Sequence, residues 1–575
     1  MRHALAGHGA SKGNALGRAR VRLPHALEVA EERIAADAAE AELKRLHTAI
    51  DAVRVEMRNM RNQLHGALAH EVGEFLDLHT LLLDDPELLQ GLDDLVRKGL
   101  YGADYALRLQ RDRLAAVFSG MDDAYFRSRV EDIDHVIGRV HAMLHKREAD
   151  LQGVAGEILI TDAIAPAELS QLQAQGVMAV VTAGGSALSH SAILARSLHL
   201  PLVVGAPLAL QQVNDGDVLV VDGASGEIIR EPNAEDLRAY RARLRDEKRE
   251  RKQLHRLRRE PSRTLDGVDV KLFANAESRE DVAEAHALGA AGVGLYRTEF
   301  LFLQRNELPD EDEQFRAYRD VVLGMTGRAV TLRTLDVGAD KADRTGLALT
   351  DEPNPALGLR GVRLSLARTE VFETQLRAML RASGYGPLRI LVPMVSGREE
   401  IVAVAKLLAR VARDLRREGH EIAEQVPLGA MIEVPAAAIA LPGFIGAVDF
   451  LSIGTNDLTQ YLLAADRGND ALGELYSPLH PAMLRLLQQV IRTAKARAKP
   501  VAVCGEMAGD AALTPLLLAL GLEEFSLHPG TLLEVRRAVR AHDLSALRAT
   551  APSLLRCRDR DAIQRWLDKA TREAS

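Results

Sequence analysis

Leu43, Leu46, Ile50, Val53, Met57, Met60 and Leu64 follow one another in steps of three and four, an apolar stripe down one face of a helix. Helical patterning covers most of residues 25–147, interrupted at Asp84-Asp85-Pro86, Gly99 and Ser119-Gly120. One stripe alone fits a dimeric coiled coil; the interruptions favour a helical bundle or a pair of helical hairpins. No catalytic constellation accompanies these stripes, so the region reads as structural or docking.

Between 153 and 230 the period shortens. "GEILIT", "VMAVVT", "LVVG" and "DVLVVD" are β-branched runs set between glycine, proline and polar turns, and predict strands of a small α/β domain. The early "GASKGNALGRARVRL" predicts a strand segment that joins this domain across the helical insertion. "EDLRAYRARLRDEKRERKQLHRLRRE", ended by Pro261, reads as a solvated linker helix. Beyond it come the strand candidates "VKLFANA", "GVGLYRT", "AVTLRTLD", "LRILVPM", "LGAMIEV", "DFLSIGTND", "PVAVCGEM" and "EFSLHP", most of them separated by helical patterns. This series predicts a (β/α)8 barrel, with a doubly wound open sheet as the alternative.

At 575 residues the chain exceeds a single core. Its 47% apolar and 27% charged content is that of soluble globular domains. A formal net charge of −8 argues against a general nucleic-acid binder. Cys504 and Cys557 are the two cysteines, so no disulfide framework is expected. With no signal-like N-terminus and no membrane-length apolar run, a cytoplasmic location without membrane insertion is expected.

Candidate chemistry sits at predicted strand ends. Arg297, Arg333, Glu433, Asn456 with Asp457, and Cys504 each lie at or just past the C-terminal end of a strand candidate. In a barrel those ends converge on one face, the face that carries active sites. Glu433 and Asp457 suit Mg²⁺, although each also fits a plain salt bridge. Arg297, Arg333 and Arg467, with Arg360 and Arg363 in "GLRGVR", suit a small, multiply anionic substrate. Cys504 reads either as a proton donor or as a buried strand-end cysteine. His190 begins a helical pattern behind "GGSALS"; a helix start offers unpaired N–H groups to a phosphate, and equally suits a capping histidine.

Long stretches of the chain resemble the Enzyme I family of the phosphoenolpyruvate-dependent phosphotransferase system. They are "GASKGNALG", "SHSAILARSLHLPLVVG", "GLYRTEFLF", "LRTLDVGADK", "NPALGLRGVRLSL", "IEVPAA", "DFLSIGTNDLTQYLLAADRGND" and "VCGEMAGD". The resemblance runs nearly end to end. It implies that His190 accepts the phosphoryl group of phosphoenolpyruvate, with Arg196 helping to hold it, and passes it to a histidine of an HPr-like phosphocarrier. It implies that Arg297, Arg333, Asn456, Asp457 and Arg467 bind phosphoenolpyruvate, that Glu433 and Asp457 ligate Mg²⁺, and that Cys504 protonates the product enolate. Ser186, Ala187 and Leu188 depart from the family's usual run before the histidine, and Ala339 replaces a family glycine in "DVGADK".

The resulting expectation is an α/β phosphohistidine domain from 1–24 and 148–230, interrupted by a helical HPr-docking subdomain at 25–147. A charged linker helix at 231–260 leads to a phosphoenolpyruvate-binding, homodimerising barrel at 261–575. Two other functions draw on the same features. Dikinases and synthases that share the histidine domain and barrel also carry a large nucleotide-grasping domain, and the insertion here has no glycine-rich phosphate loop. A catalytically silent phosphoenolpyruvate sensor would not need His190, Cys504, Glu433 and Asp457 together.

Overall fold

The computed structural model describes residues 3–22, 31–63, 79–119, 124–145, 154–164, 166–185, 190–198, 200–302, 307–338, 347, 352–466, 472 and 475–573. They form two compact units, Met1–Arg249 and Glu250–Ser575.

The first unit is built on a sheet of β1 (His3–Ala6), β2 (His8–Ser11), β3 (Asn14–Arg22), β4 (Glu157–Thr161), β5 (Ala179–Thr182), β6 (Leu202–Val204), β7 (Val218–Asp222) and β8 (Glu227–Arg230). Among the described residues its order is β1-β8-β7-β3-β4-β5-β6-β2, so the N-terminal segment supplies both edges and a central strand. β3, β4, β5 and β6 run parallel, and β7 is antiparallel to β3. Successive side chains of a strand face opposite ways. Ile158 and Ile160 of β4 accordingly join one apolar cluster with Val181, Val203 and Val221, whereas Leu159 joins a second. That second cluster is shared with the inserted helices.

The insertion holds the helices Ala39–Gln63, Pro86–Arg97, Ala103–Ser119 and Ala124–Leu144. Leu43, Leu46, Ile50, Val53 and Met57 of the stripe are buried together; the Met60 side chain and Leu64 lie outside the described residues. Asp85 marks the break, its Oδ1 accepting the Glu87 N–H at 2.7 Å to cap Pro86–Arg97.

The charged segment is largely exposed, as a solvated helix would be, but it is not free of the core. It folds as the helix Ala234–Arg256, and in the first unit Tyr240, with Leu237 and Leu244, covers Val220 of β7 and Ile229 of β8. Three apolar residues at helical spacing suffice to dock a helix whose remaining faces are charged. Its last residues belong to the second unit, where Glu250 pairs with Arg537 at 2.6 Å.

In the second unit a closed parallel barrel comprises β9 (Lys271–Ala276), β10 (Gly292–Arg297), β11 (Ala329–Arg333), β12 (Leu388–Val392), β13 (Leu428–Ile432), β14 (Phe450–Ile453), β15 (Val501–Val503) and β16 (Glu524–Leu527). β16 pairs with β9 to close the ring. Every strand is followed by helix, from Arg279–Ala287 after β9 to Leu532–Arg540 after β16. This is a (β/α)8 barrel rather than an open sheet. Ala430 and Ile432 of β13 face the helices in the main core, while Met431 joins Leu295, Leu391, Phe450 and Cys504 in a separate cluster.

Candidate active site

Each strand end carries its expected residue. Arg297 and Arg333 are the last residues of β10 and β11; Glu433 and Cys504 immediately follow β13 and β15. Asn456 and Asp457 stand in the first turn of the helix Thr455–Leu463, which opens two residues after β14. A parallel barrel aligns its strand ends, so these six residues from five strands share one rim.

A charge network orders the rim. Arg333 is nearly buried and pairs with Glu299 at 3.0 Å and with Asp336 at 3.2 Å. Arg360 donates to the same Asp336, Nε to Oδ1 at 3.2 Å and Nη2 to Oδ2 at 3.0 Å, and its Nη2 lies 3.6 Å from Asp457 Oδ2. Burial would lower the pKa of both guanidiniums; the surrounding carboxylates outweigh it and raise both. Arg297 is half exposed and pairs with Glu277. Asn456 donates from Nδ2 to Glu506 at 2.8 Å and accepts the Glu506 N–H at 3.0 Å, which fixes its amide.

Glu433 is buried, and its Oε1 accepts the Met394 N–H at 2.6 Å. Burial, followed by the charges of Asp336 and Asp457, pushes its pKa up to about 8, with Arg333 opposing. The Cβ of any residue replacing Gly454 would stand 2.7 Å from Glu433 Oε2, so the β14 turn leaves that oxygen its room. The crowding of carboxyl groups that raises this pKa and the reserved oxygen fit a hard divalent cation.

Cys504 is buried, its thiol donating to the Ile453 carbonyl at 3.4 Å. Burial pushes its pKa up to about 11, so it holds a proton at neutrality.

Asp336 and Glu299 are rim residues that strand-end reasoning missed. Asp336 lies three residues past β11 and Glu299 two past β10, both inside the motifs "LRTLDVGADK" and "GLYRTEFLF". Arg363 falls in the helix Val362–Ala367. Arg467, Ala339 and the three departing residues Ser186, Ala187 and Leu188 lie outside the described residues.

In the first unit the helix His190–Ser197 begins at the expected histidine, whose side chain is outside the described set. Gly185, at φ 92°, precedes it, and the Ser191 hydroxyl donates to the Ile164 carbonyl at 2.7 Å. Arg196 donates from Nη1 to the Ala10 carbonyl at 2.9 Å.

A barrel whose rim combines arginines, carboxylates and a protonated thiol defines a class of enzyme acting on small anions. Residues 251–544 match the family of the PEP-utilising enzyme, PEP-binding domain; residues 6–129 match its N-terminal domain and 153–226 its mobile domain. A phosphoenolpyruvate-protein phosphotransferase of Cupriavidus necator is 44% identical over 94% of each chain. One of Staphylococcus epidermidis is 38% identical over 91% of this chain and 92% of its own. A solution structure of Enzyme I, 27% identical, covers 42% of this chain and 99% of that one with a TM-score of 0.36. The chain belongs to the phosphoenolpyruvate-protein phosphotransferase family. It is a transferase of the phosphotransferase system, with phosphoenolpyruvate as its phosphoryl donor. Among the described residues no helix is long and apolar enough to cross a membrane.

Proposed function

We propose that the chain moves the phosphoryl group of phosphoenolpyruvate to His190 and then to a histidine of an HPr-like phosphocarrier, releasing pyruvate. The observation that carries this reading is the rim shared by Arg297, Arg333, Glu433, Asn456, Asp457 and Cys504. Arg297 and Arg333, with Arg467, grip the anionic groups of phosphoenolpyruvate, and Asn456 orients it. Glu433 and Asp457 would hold Mg²⁺, which when bound supplies charge neutralisation to the phosphoryl group and the enolate oxygen. A nitrogen of neutral His190 attacks phosphorus in line; the phosphorus–nitrogen bond forms as the phosphorus–oxygen bond to the enolate breaks. Cys504 Sγ then delivers its proton to the enolate carbon, giving pyruvate and removing the nucleophile that would reverse the transfer. The start of the helix His190–Ser197 offers N–H groups to the phosphoryl group, and Arg196 adds positive charge.

Phosphohistidine and helical regions occupy the first unit, with the helical insertion as the HPr-docking surface. The barrel is the homodimerising part, and the enzyme works in the cytoplasm. His190 has to meet the barrel rim in one half-reaction and the phosphocarrier in the other, with the segment around 235–260 as hinge. The test is transfer from ³²P-labelled phosphoenolpyruvate. His190→Ala is expected to fold, to bind phosphoenolpyruvate and to take up no label. Acid-labile phosphate on that variant at wild-type stoichiometry would refute the assignment.

A further inference from the structure

One cluster of ligand-type side chains, in the helical insertion, has no part in the chemistry above. Asp104 stands in the first turn of the helix Ala103–Ser119, while His141 and His145 stand four residues apart at the end of Ala124–Leu144 and just past it. That spacing sets both imidazoles on one helix face. His145 Nε2 lies 2.9 Å and His141 Nε2 3.4 Å from the same oxygen, Asp104 Oδ1. The three ligand atoms all fall within 4.8 Å of one another, a grouping no other set of three His, Cys, Asp or Glu makes among the described residues. The rings are 4.7 Å apart and tilted by 57°.

Metal bonds of about 2.0–2.2 Å put tetrahedral ligand atoms roughly 3.3–3.6 Å apart; His141 Nε2 stands at that distance from Asp104 Oδ1, at 3.4 Å, and His145 Nε2, at 2.9 Å, is within a small side-chain shift of it. A ligating carboxylate also needs its orientation fixed from outside. Arg45 does this, its Nη2 lying 3.3 Å from Asp104 Oδ2 and donating to Glu42 Oε1 at 2.8 Å; that same Glu42 oxygen accepts the Ala103 N–H at 2.9 Å. Asp104 and His141 are largely buried, with side-chain exposures of 16% and 18%, whereas His145 at 39% leaves the cluster open to water on one side. Two imidazoles and one carboxylate select a borderline transition metal over Mg²⁺ or Ca²⁺, which prefer all-oxygen shells.

We propose that Asp104, His141 and His145 form a binding site for a divalent transition metal of the zinc class. Bound there, the ion ties the start of Ala103–Ser119 to the end of Ala124–Leu144 and, through Arg45, braces the helix Ala39–Gln63. The site is independent of the phosphoryl chemistry in the barrel.

Titration of the full chain with ZnCl₂, in the presence of saturating Mg²⁺, tests it by calorimetry and by thermal unfolding. One zinc per chain is expected at this site, with a rise in the unfolding temperature. His145→Gln and Asp104→Asn are each expected to weaken that zinc by at least about tenfold, the scale of losing a ligand or its support, and to abolish the rise. Metal-free circular dichroism of both variants should match the wild type, since neither side chain lies in the apolar core. Zinc bound with unchanged affinity by both variants, or no zinc bound by the wild type at about 100 µM, would overturn the proposal. An equal temperature rise from Mg²⁺ alone would overturn the choice of metal.

Discussion

Cys504 shows how one residue's surroundings define its chemistry. A thiol packed among Leu295, Leu391, Met431 and Phe450 is shielded from the solvent that would stabilise its anion, so burial pushes its pKa up to about 11. As a proton donor it therefore stays loaded through neutral and mildly alkaline pH, and its contribution fails only as pH climbs towards that value. Under the proposed mechanism, Cys504→Ala should leave phosphoenolpyruvate binding nearly intact and slow pyruvate formation by about 10²–10⁴-fold. Pre-steady-state measurement of pyruvate release separates the two effects; wild-type rates would return Cys504 to the role of a core side chain. The protonation state has its own check. Iodoacetamide at about pH 8, read by peptide mass spectrometry, should label Cys504 more slowly than the partly exposed Cys557.

At the scale of elements, the turns after the strands carry the precision. Gly454 closes β14 and lets the chain pass close to Glu433, where a Cβ would meet Oε2 at 2.7 Å and the Glu433 Cβ at 3.0 Å. Gly454→Ala should thus preserve the barrel, because the position has an ordinary negative φ of −84°. It should displace the Glu433 carboxylate and raise the Mg²⁺ concentration needed for half-maximal activity by about tenfold. An unchanged Mg²⁺ dependence, measured with the fold verified by circular dichroism, would mean that Glu433 is not a ligand.

The same strand turns mark what could be read from the sequence. The barrel strands are apolar runs bounded by turn residues, and the end of each run located Arg297, Arg333, Glu433 and Cys504 directly. Asp336 and Glu299 escaped because they lie in irregular segments past the strands, where no periodicity fixes direction; only the fold brings them against Arg333. Short strands such as β1 and β8 gave no separate signal, since four residues barely establish an alternation. In Ala234–Arg256 the density of charge hid a real apolar stripe at Leu237, Tyr240 and Leu244. The Asp104–His141–His145 cluster joins residues of two helices, so no spacing along the chain announced it.

For the whole molecule, the division of labour depends on where the units part. The barrel pattern starts after Pro261, and the compact unit that holds the barrel reaches back to Glu250 in the charged helix. Arg536 accounts for that reach. Its side chain is buried in the second unit and donates to the carbonyls of Leu257 at 2.7 Å, Leu288 at 3.1 Å and Gly289 at 2.7 Å, and to Ser262 Oγ at 3.0 Å. A fragment of 261–575 loses the Leu257 carbonyl and the Glu250–Arg537 pair; a fragment of 250–575 keeps both. A buried hydrogen bond from a charged donor is worth about 1.5–3 kcal/mol, so the shorter fragment should be less stable by about that amount in urea. Both should bind phosphoenolpyruvate with Mg²⁺ and transfer nothing, since neither carries His190. The complementary fragment 1–260 should be monomeric, exchange phosphate with phospho-HPr and remain inert to phosphoenolpyruvate. Equal stability of the two barrel fragments would leave Leu257–Glu260 a mere connector. Direct phosphorylation of 1–260 by phosphoenolpyruvate would place the donor site in the first unit, and the barrel rim would need another role.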